Sequence, residues 1–297
     1  VSGNIISELS EKIPVNIVAL NELIKNAYDA GATEIKIKMD TTKKTICIED
    51  NGNGMDEFDI EKLFHISNSD KKYGSINQNG RLTQGSKGLG FLSAFKFGKQ
   101  VKWITCKENQ GIEFCVDYDD VIKYENISDY IVNIKANEKK INGTIIEIKV
   151  REDNDNFESL IKYFKKEENY LKVLYSFLDD NFIIEIQIDN NIPLSNRNKV
   201  ELKNILPTRQ IYNVKYSSDK EKIEFYYKNK NVISKPYKFN SNRYTLDMNL
   251  IVYSLKSYDK DKITKLFRNN NDELTPLIYV NDNLFNNYDM FNPNVNM

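Results

Sequence analysis

Sulfur, histidine, net charge and long apolar runs are all scarce in this chain of 297 residues, and each scarcity closes off a class of function. The three cysteines, Cys47, Cys106 and Cys115, are odd in number, which argues against a disulfide framework, and their separations match no metal-binding spacing. No apolar run approaches the roughly 18 residues that cross a bilayer, and no basic segment leading into an apolar one opens the sequence. Secretion and membrane spanning are not expected, and a cytoplasmic location is. Lys and Arg number 42 against 43 Asp and Glu, a net charge of −1, so no global cationic field draws nucleic acid. Pairs such as Lys139-Lys140 and Lys165-Lys166 read as solvated faces. No GxxxxGK(S/T) string is present, which removes the P-loop, and the glycines do not follow the first strand of a βαβ unit as a dinucleotide fingerprint requires.

What the chain does have is three short segments in a fixed order. In the first, a helix is expected to start near Pro14, because proline is tolerated in a first turn and Ile17, Leu20, Leu23, Ile24 and Ala27 follow helical spacing. At roughly 100° per residue, Glu22, Asn26 and Asp29 fall within about 60° of one another on the other side. Gly31 ends this helix. Two strands are expected next, Glu34 to Met39 and Thr45 to Glu49, with Ile46 and Ile48 pointing one way and Cys47 and Glu49 the other. The second segment, Asp50-Asn51-Gly52-Asn53-Gly54-Met55, begins where the second strand runs out; alone, its turn chemistry would explain it. The third, Gln84-Gly85-Ser86-Lys87-Gly88-Leu89-Gly90, leads into the apolar Phe91-Leu92-Ser93-Ala94-Phe95, fit to start a helix. Glycine-rich backbone at a helix N-terminus presents N–H groups and positive potential, which suits phosphate.

Together with Gly143-Thr144 ahead of an expected strand Ile145 to Val150, these segments resemble the GHKL ATPases, the superfamily of gyrase B, Hsp90, histidine kinases and MutL. The spacing Glu22-x-x-x-Asn26-Ala-x-Asp29-Ala is similar to MutL and MORC proteins in particular. The resemblance implies ATP and Mg²⁺ as ligands and gives each residue a role. Glu22 corresponds to the general base for the attacking water, and Asn26 to the Mg²⁺ ligand, in keeping with magnesium's preference for few protein oxygens. Asp50 corresponds to the acceptor of the adenine amino group, supported by Thr144 through ordered water. Gly52 and Gly54 let backbone approach the base, Met55 forms an apolar wall, and Asp29 orients its neighbours. Gly85, Ser86, Lys87, Gly88, Leu89 and Gly90 wrap the phosphates. Histidine kinases lack a glutamate at the position of Glu22 and carry a phosphoacceptor histidine on an upstream hairpin. Here the one histidine, His65, lies between the nucleotide motifs, so hydrolysis is favoured over phosphotransfer.

The fold implied is α+β: a Bergerat-type sandwich of a mixed sheet with helices on one face over residues 1–195, then part of a ribosomal S5-like transducer over 196–297. The polar stretch of about 65–90 corresponds to the ATP lid, with Ser69, Lys71 and Lys72 as loose phosphate-contact candidates. A helical stretch from Phe157 to Leu178 and a strand from Phe182 to Ile188 complete the first domain. Strands at Lys222 to Tyr227, Leu246 to Leu255 and Pro276 to Val280, with a hairpin at Tyr279 to Phe285, belong to the second. Transducers of the hydrolysing relatives supply a Lys or Arg to the γ-phosphate; Lys228 and Lys230 lie near a strand of the right region, but the family's cation usually lies further along the chain. The resemblance further implies dimerisation on ATP binding, a DNA client, and additional domains or partners beyond residue 297. An ATP sensor with negligible turnover, an Hsp90-like ATPase with a protein client and a histidine-kinase-type phosphotransferase are the alternatives.

Overall fold

The computed structural model describes residues 16–64, 76, 80–84, 90–150, 155–197, 209–241, 245–254, 265, 277–280 and 283–284. Helix α1, Asn16–Asp29, buries Ile17, Leu20, Leu23, Ile24 and Ala27, the stripe expected from spacing. It stops because Gly31 adopts a positive φ of 78°. Gly31 N–H then donates to Tyr28 O and Ala32 N–H to Ala27 O, both at 3.0 Å, the paired bonds that satisfy the last carbonyls of a helix.

Strands β1, Glu34–Asp40, and β2, Thr45–Asp50, form an antiparallel hairpin in the register Ile35 to Asp50 through Asp40 to Thr45. A short helix α2, Glu57–Phe64, follows. Next come a 3-10 helix, Gly90–Lys96, and strands β3, Gln100–Lys107, and β4, Gln110–Asp117. After a single turn α3, Tyr118–Val121, come β5, Ile134–Ala136, and β6, Gly143–Lys149. Helices α4, Asp155–Phe164, and α5, Glu167–Leu174, lead to β7, Ile183–Ile188, and β8, Leu194–Ser195. These strands make one eight-stranded sheet in the order β5-β4-β3-β6-β2-β1-β7-β8. It is mixed: β1 runs parallel to β7 and the other pairs are antiparallel.

Alternation along the strands puts one face of this sheet in the core. Ile35, Ile37, Ile46, Ile48, Trp103 and Ile184 are buried, while Lys38, Cys115 and Glu147 on the opposite face are exposed. Helix α1, the 3-10 helix and α4 share the buried face's core cluster. Asn16 Nδ2 donates to Asn156 O at 3.0 Å, and Asn156 Nδ2 donates to Lys96 O at 3.2 Å, tying the three together. This is the α+β sandwich with helices on one face that the resemblance implied. Among the described residues no helix is long and apolar enough to cross a membrane.

Two expectations change. The stretch 157–178 holds two helices, because Lys166 is extended (φ −90°, ψ 127°) and breaks the helix between Phe164 and Glu167, with Phe157 and Leu160 buried on one side of the break in sequence and Val173 and Leu174 on the other. The start of 91–95 is a 3-10 helix; Phe91, Leu92, Ser93 and Ala94 are buried in succession, so no face is left for an amphipathic α-helix.

The chain divides into two compact units, Val1–Arg197 with Leu266–Met297, and Asn198–Lys265. The second is a four-stranded antiparallel sheet made of β9, Gln210–Ser217, β10, Lys222–Tyr227, β11, Lys230–Pro236, and β12, Met248–Tyr253, in the order β11-β10-β9-β12. Its register places Tyr227 and Val252 on either side of Tyr212, and Phe225 and Leu250 on either side of Val214. Among these, Tyr212, Phe225, Tyr227, Leu250 and Val252 are exposed. Lys228 sits in the β10–β11 turn with a positive φ of 44°, and Lys230 opens β11. The end of the chain returns to the first unit, where β13, Tyr279–Val280, pairs with β14, Asn283–Leu284. Leu284 N–H donates to Ser176 O at 2.7 Å, and Tyr279 Oη donates to Tyr175 O at 2.8 Å.

Candidate functional site

The base end of the expected site grows from the end of β2. Asp50 is 9% exposed, and its Oδ1 accepts the Gly52 N–H at 2.8 Å. Burial lifts its carboxyl to about 6, although the N–H groups of Gly52 and Thr144 and the charge of Lys139 pull the other way. A buried carboxylate so placed has acceptor capacity left for one more donor. Lys139, expected as part of a solvated face, thus acts on this carboxylate.

Two glycines hold the turn after Asp50 against the neighbouring strands. Gly54 has a φ of +72°, and a Cβ there would lie 1.9 Å from Cys106 O. Gly143 has a φ of +128°, and its Cβ would lie 2.1 Å from Asp50 O. No side chain fits at either position, so backbone meets backbone. Met55 N–H donates to Thr105 Oγ1 at 2.8 Å, and that hydroxyl lies 3.1 Å from Thr144 Oγ1 and 3.3 Å from Gly143 O. Thr105 was not among the sequence candidates. A threonine in mid-strand is ordinary, and only the β3–β6 register, which sets Thr105 opposite Thr144, brings it to the site.

Ala30 joins this end to the phosphate end. Its carbonyl accepts Asn53 N–H at 2.9 Å, and a Cβ on Gly52 would sit 2.9 Å from the same oxygen. Its own N–H donates to Asn26 O at 3.0 Å. Asp50 and Asn26 are therefore linked through one helical turn. Above Asn26 lies Gly90, where a Cβ would come within 2.6 Å of both Asn26 Oδ1 and Nδ2. Asp29 Oδ1 accepts the Gln84 N–H at 2.9 Å, holding the residue that leads into Gly85. Glu22 Oε1 accepts from Lys25 Nζ at 2.8 Å with its side chain one-third exposed (33%), open to water on the same helix as Asn26.

A second anchor was missed. The Arg81 guanidinium lies 4.4 Å from the Tyr28 ring centroid. Its Nη1 donates to Ala32 O at 2.5 Å and its Nε to Asp179 Oδ2 at 2.8 Å. A cation at the C-terminal end of α1 complements the helix dipole, and here it fixes the chain just before Gln84.

Gly85, Ser86, Lys87, Gly88 and Leu89 lie outside the described residues, as do His65, Ser69, Lys71 and Lys72. The residues present suit the expected ligands. Asn26 offers one hard oxygen beneath a glycine whose lack of a Cβ keeps the amide uncrowded, and magnesium takes few protein ligands when phosphates and waters complete its shell. Asp50 offers a buried acceptor.

Residues 15–148 match the family model described as histidine kinase-, DNA gyrase B-, and HSP90-like ATPase. Three curated relatives carry the name chaperone protein HtpG. That of Rickettsia canadensis (strain McKiel) is 26% identical over 243 residues, covering 73% of this chain and 38% of that protein. That of Sulfurovum sp. (strain NBC37-1) is 29% identical over 164 residues, covering 47% of this chain and 25% of the relative. That of Cupriavidus necator is 29% identical over 157 residues, covering 51% and 23%. The chain thus spans well under half the length of each of these relatives.

Proposed function

Residues 15–148 belong to the histidine kinase-, DNA gyrase B- and HSP90-like ATPases, and from that premise we propose that this chain is the Mg²⁺-dependent ATPase module of a conformational switch. The observation that carries the proposal is the link from the buried Asp50 carboxylate through Ala30 to Asn26, seated under Gly90. In this reading the adenine amino group donates to Asp50, which favours adenine because guanine offers a carbonyl at that position. Gly52, Gly54, Met55 and Thr144 frame the base. Asn26 holds Mg²⁺, which when bound offsets phosphate charge. Glu22 takes the proton of the water that attacks the γ-phosphorus, giving ADP and phosphate. Gly85 to Gly90, with Ser86, Lys87 and Leu89, wrap the phosphates, and closure of 65–90 excludes bulk water.

The second unit is proposed as part of a transducer of the ribosomal S5-like kind, within the 196–297 division. ATP binding brings two copies together, and hydrolysis releases them; nucleotide shifts that equilibrium only through its higher affinity for the closed form. The resemblance to MutL and MORC points to DNA as client. The chaperone names of the three relatives favour a protein client instead. Suppression of aggregation of a heat-unfolded protein would support the second, and a salt-sensitive shift of DNA mobility the first.

The decisive experiment is ATP hydrolysis by this chain with and without Mg²⁺, beside Glu22→Ala, with ATP affinity measured for both. Slow Mg²⁺-dependent turnover that falls on the order of 100-fold or more in Glu22→Ala, with binding retained, is the expected result. Binding without turnover in either protein would reduce the reading to an ATP sensor.

A further inference from the structure

Thr105 is fully buried on β3, and its hydroxyl sits among three residues of the base end, Met55, Gly143 and Thr144. A hydroxyl has one proton to give and two lone pairs to receive with. Thr105 receives the Met55 N–H at 2.8 Å. For its single proton it has two acceptors, Thr144 Oγ1 at 3.1 Å and Gly143 O at 3.3 Å. The choice between them sets the direction of the neighbouring hydroxyl. If the proton goes to Thr144, the Thr144 proton is free to be donated elsewhere; if it goes to Gly143, Thr144 donates back to Thr105 and presents only lone pairs.

We propose that Thr105 is a specificity-determining positioning residue, which donates to Thr144 and so turns the Thr144 proton toward the base. The proposal rests on the ATP-binding reading above and deepens it. The base end then shows an acceptor, Asp50, beside a donor, Thr144. Adenine carries the complement: a 6-amino donor and an N1 acceptor. Hypoxanthine and guanine carry the reverse, a 6-carbonyl acceptor and an N1–H donor. Two oriented groups reject the wrong base more strongly than one, because both of its edges face a like group in a buried place. The same hydroxyl fixes the backbone of Met55, so loss of Thr105 frees one wall and leaves one donor without a fixed direction.

The test compares affinities for ATP, inosine triphosphate and purine riboside triphosphate, which keeps the N1 acceptor and lacks the 6-amino group. In Thr105→Val, which preserves shape and removes the hydroxyl, ATP and purine riboside triphosphate are expected to weaken about tenfold and inosine triphosphate much less. The ratio of ATP to inosine triphosphate affinity then falls about tenfold. Thr105→Ser keeps the hydroxyl and should keep the wild-type ratio even where it lowers thermal stability. A structural role alone would lower all three affinities together or none. An unchanged ratio in Thr105→Val therefore overturns the proposal. Should that variant not fold, Thr105→Cys, whose thiol is a weak donor, is expected to show an intermediate ratio, and a wild-type ratio there overturns the proposal too. Failure of wild type to bind ATP at all would instead defeat the ATP-binding reading, so the two failures are distinguishable.

Discussion

At the base end of the site, Gly54 and Gly143 press on carbonyl oxygens of β3 and β2, whereas at the phosphate end Gly90 presses on the side chain of Asn26. Backbone in a paired strand has nowhere to go; a side chain on a helix can change rotamer. The base end is therefore part of the sheet's own architecture. The phosphate end is assembled on top of it through side chains, with Gln84 on Asp29 and Gly90 on Asn26 among its contacts. In the proposed ATP-binding reading, a site so divided would keep the base pocket constant while the phosphate side responds to the nucleotide.

The same substitution at both ends would break this comparison most sharply. Gly54→Ala combines a positive φ with a Cβ 1.9 Å from Cys106 O, and should cost about 4 kcal/mol or more of folding stability. At Gly90 the three atoms nearest an added Cβ all belong to the Asn26 side chain, so Gly90→Ala should cost about 1 kcal/mol while turnover falls on the order of 100-fold through the displaced Asn26 oxygen. Urea unfolding and ATPase rates on both variants test the pair. Equal stability losses would mean that the two ends are equally rigid.

The Asp50 carboxyl gives the next largest effect. Its folded value of about 6 lies above the ordinary 3.8, so the proton is held more tightly by the folded state. The stabilisation this provides is complete below about pH 4 and is lost as pH rises through about 6. The difference corresponds to about 3 kcal/mol. The apo protein is thus expected to lose stability from this group between those values, and in Asp50→Asn that part of the profile should flatten. An adenine amino group needs the ionised carboxylate, so ATP affinity should drop as pH falls below about 6. An ATP affinity that is flat from about pH 7 to 5 would detach Asp50 from base recognition.

Local signals made α1, the β1–β2 hairpin and the start of β6 legible, since each has its periodicity or its turn residues within a few positions. Asp50, Asn26 and Asp29 were legible because their spacing is itself the signal. Thr105 and Arg81 were not. Their partners are far along the chain, at Thr144 and Asp179, and a lone threonine in a strand or a lone arginine in a polar stretch resembles many others. β3 and β4 were not anticipated either; nor was the bond from Leu284 to Ser176, which carries the chain back to the first unit. The break between α4 and α5 was invisible because apolar spacing continues across Lys166 even though its backbone is extended.

The smallest effects separate the two ends by their charges. At the base end Lys107 bonds Asp56 and Asp59 at 2.7 and 2.6 Å, but all three side chains are partly exposed. Solvent screens such a pair, and Lys107→Met should change stability by about 0.5 kcal/mol or less. At the phosphate end the Arg81 and Asp179 side chains are only 10% and 17% exposed. Arg81 also gives hydrogen bonds to Ala32 O and Tyr28 O and stacks on Tyr28. Arg81→Met keeps much of the stacking and removes the bonds, and should cost about 2 kcal/mol. Because Arg81 lies just before Gln84, its loss should also weaken ATP binding, which the Lys107 change should leave alone. Denaturation midpoints and ATP affinities of the two variants check this. If Arg81→Met lowers stability without touching ATP affinity, the anchor serves the fold alone and the phosphate end is held by Asp29 and Asn26.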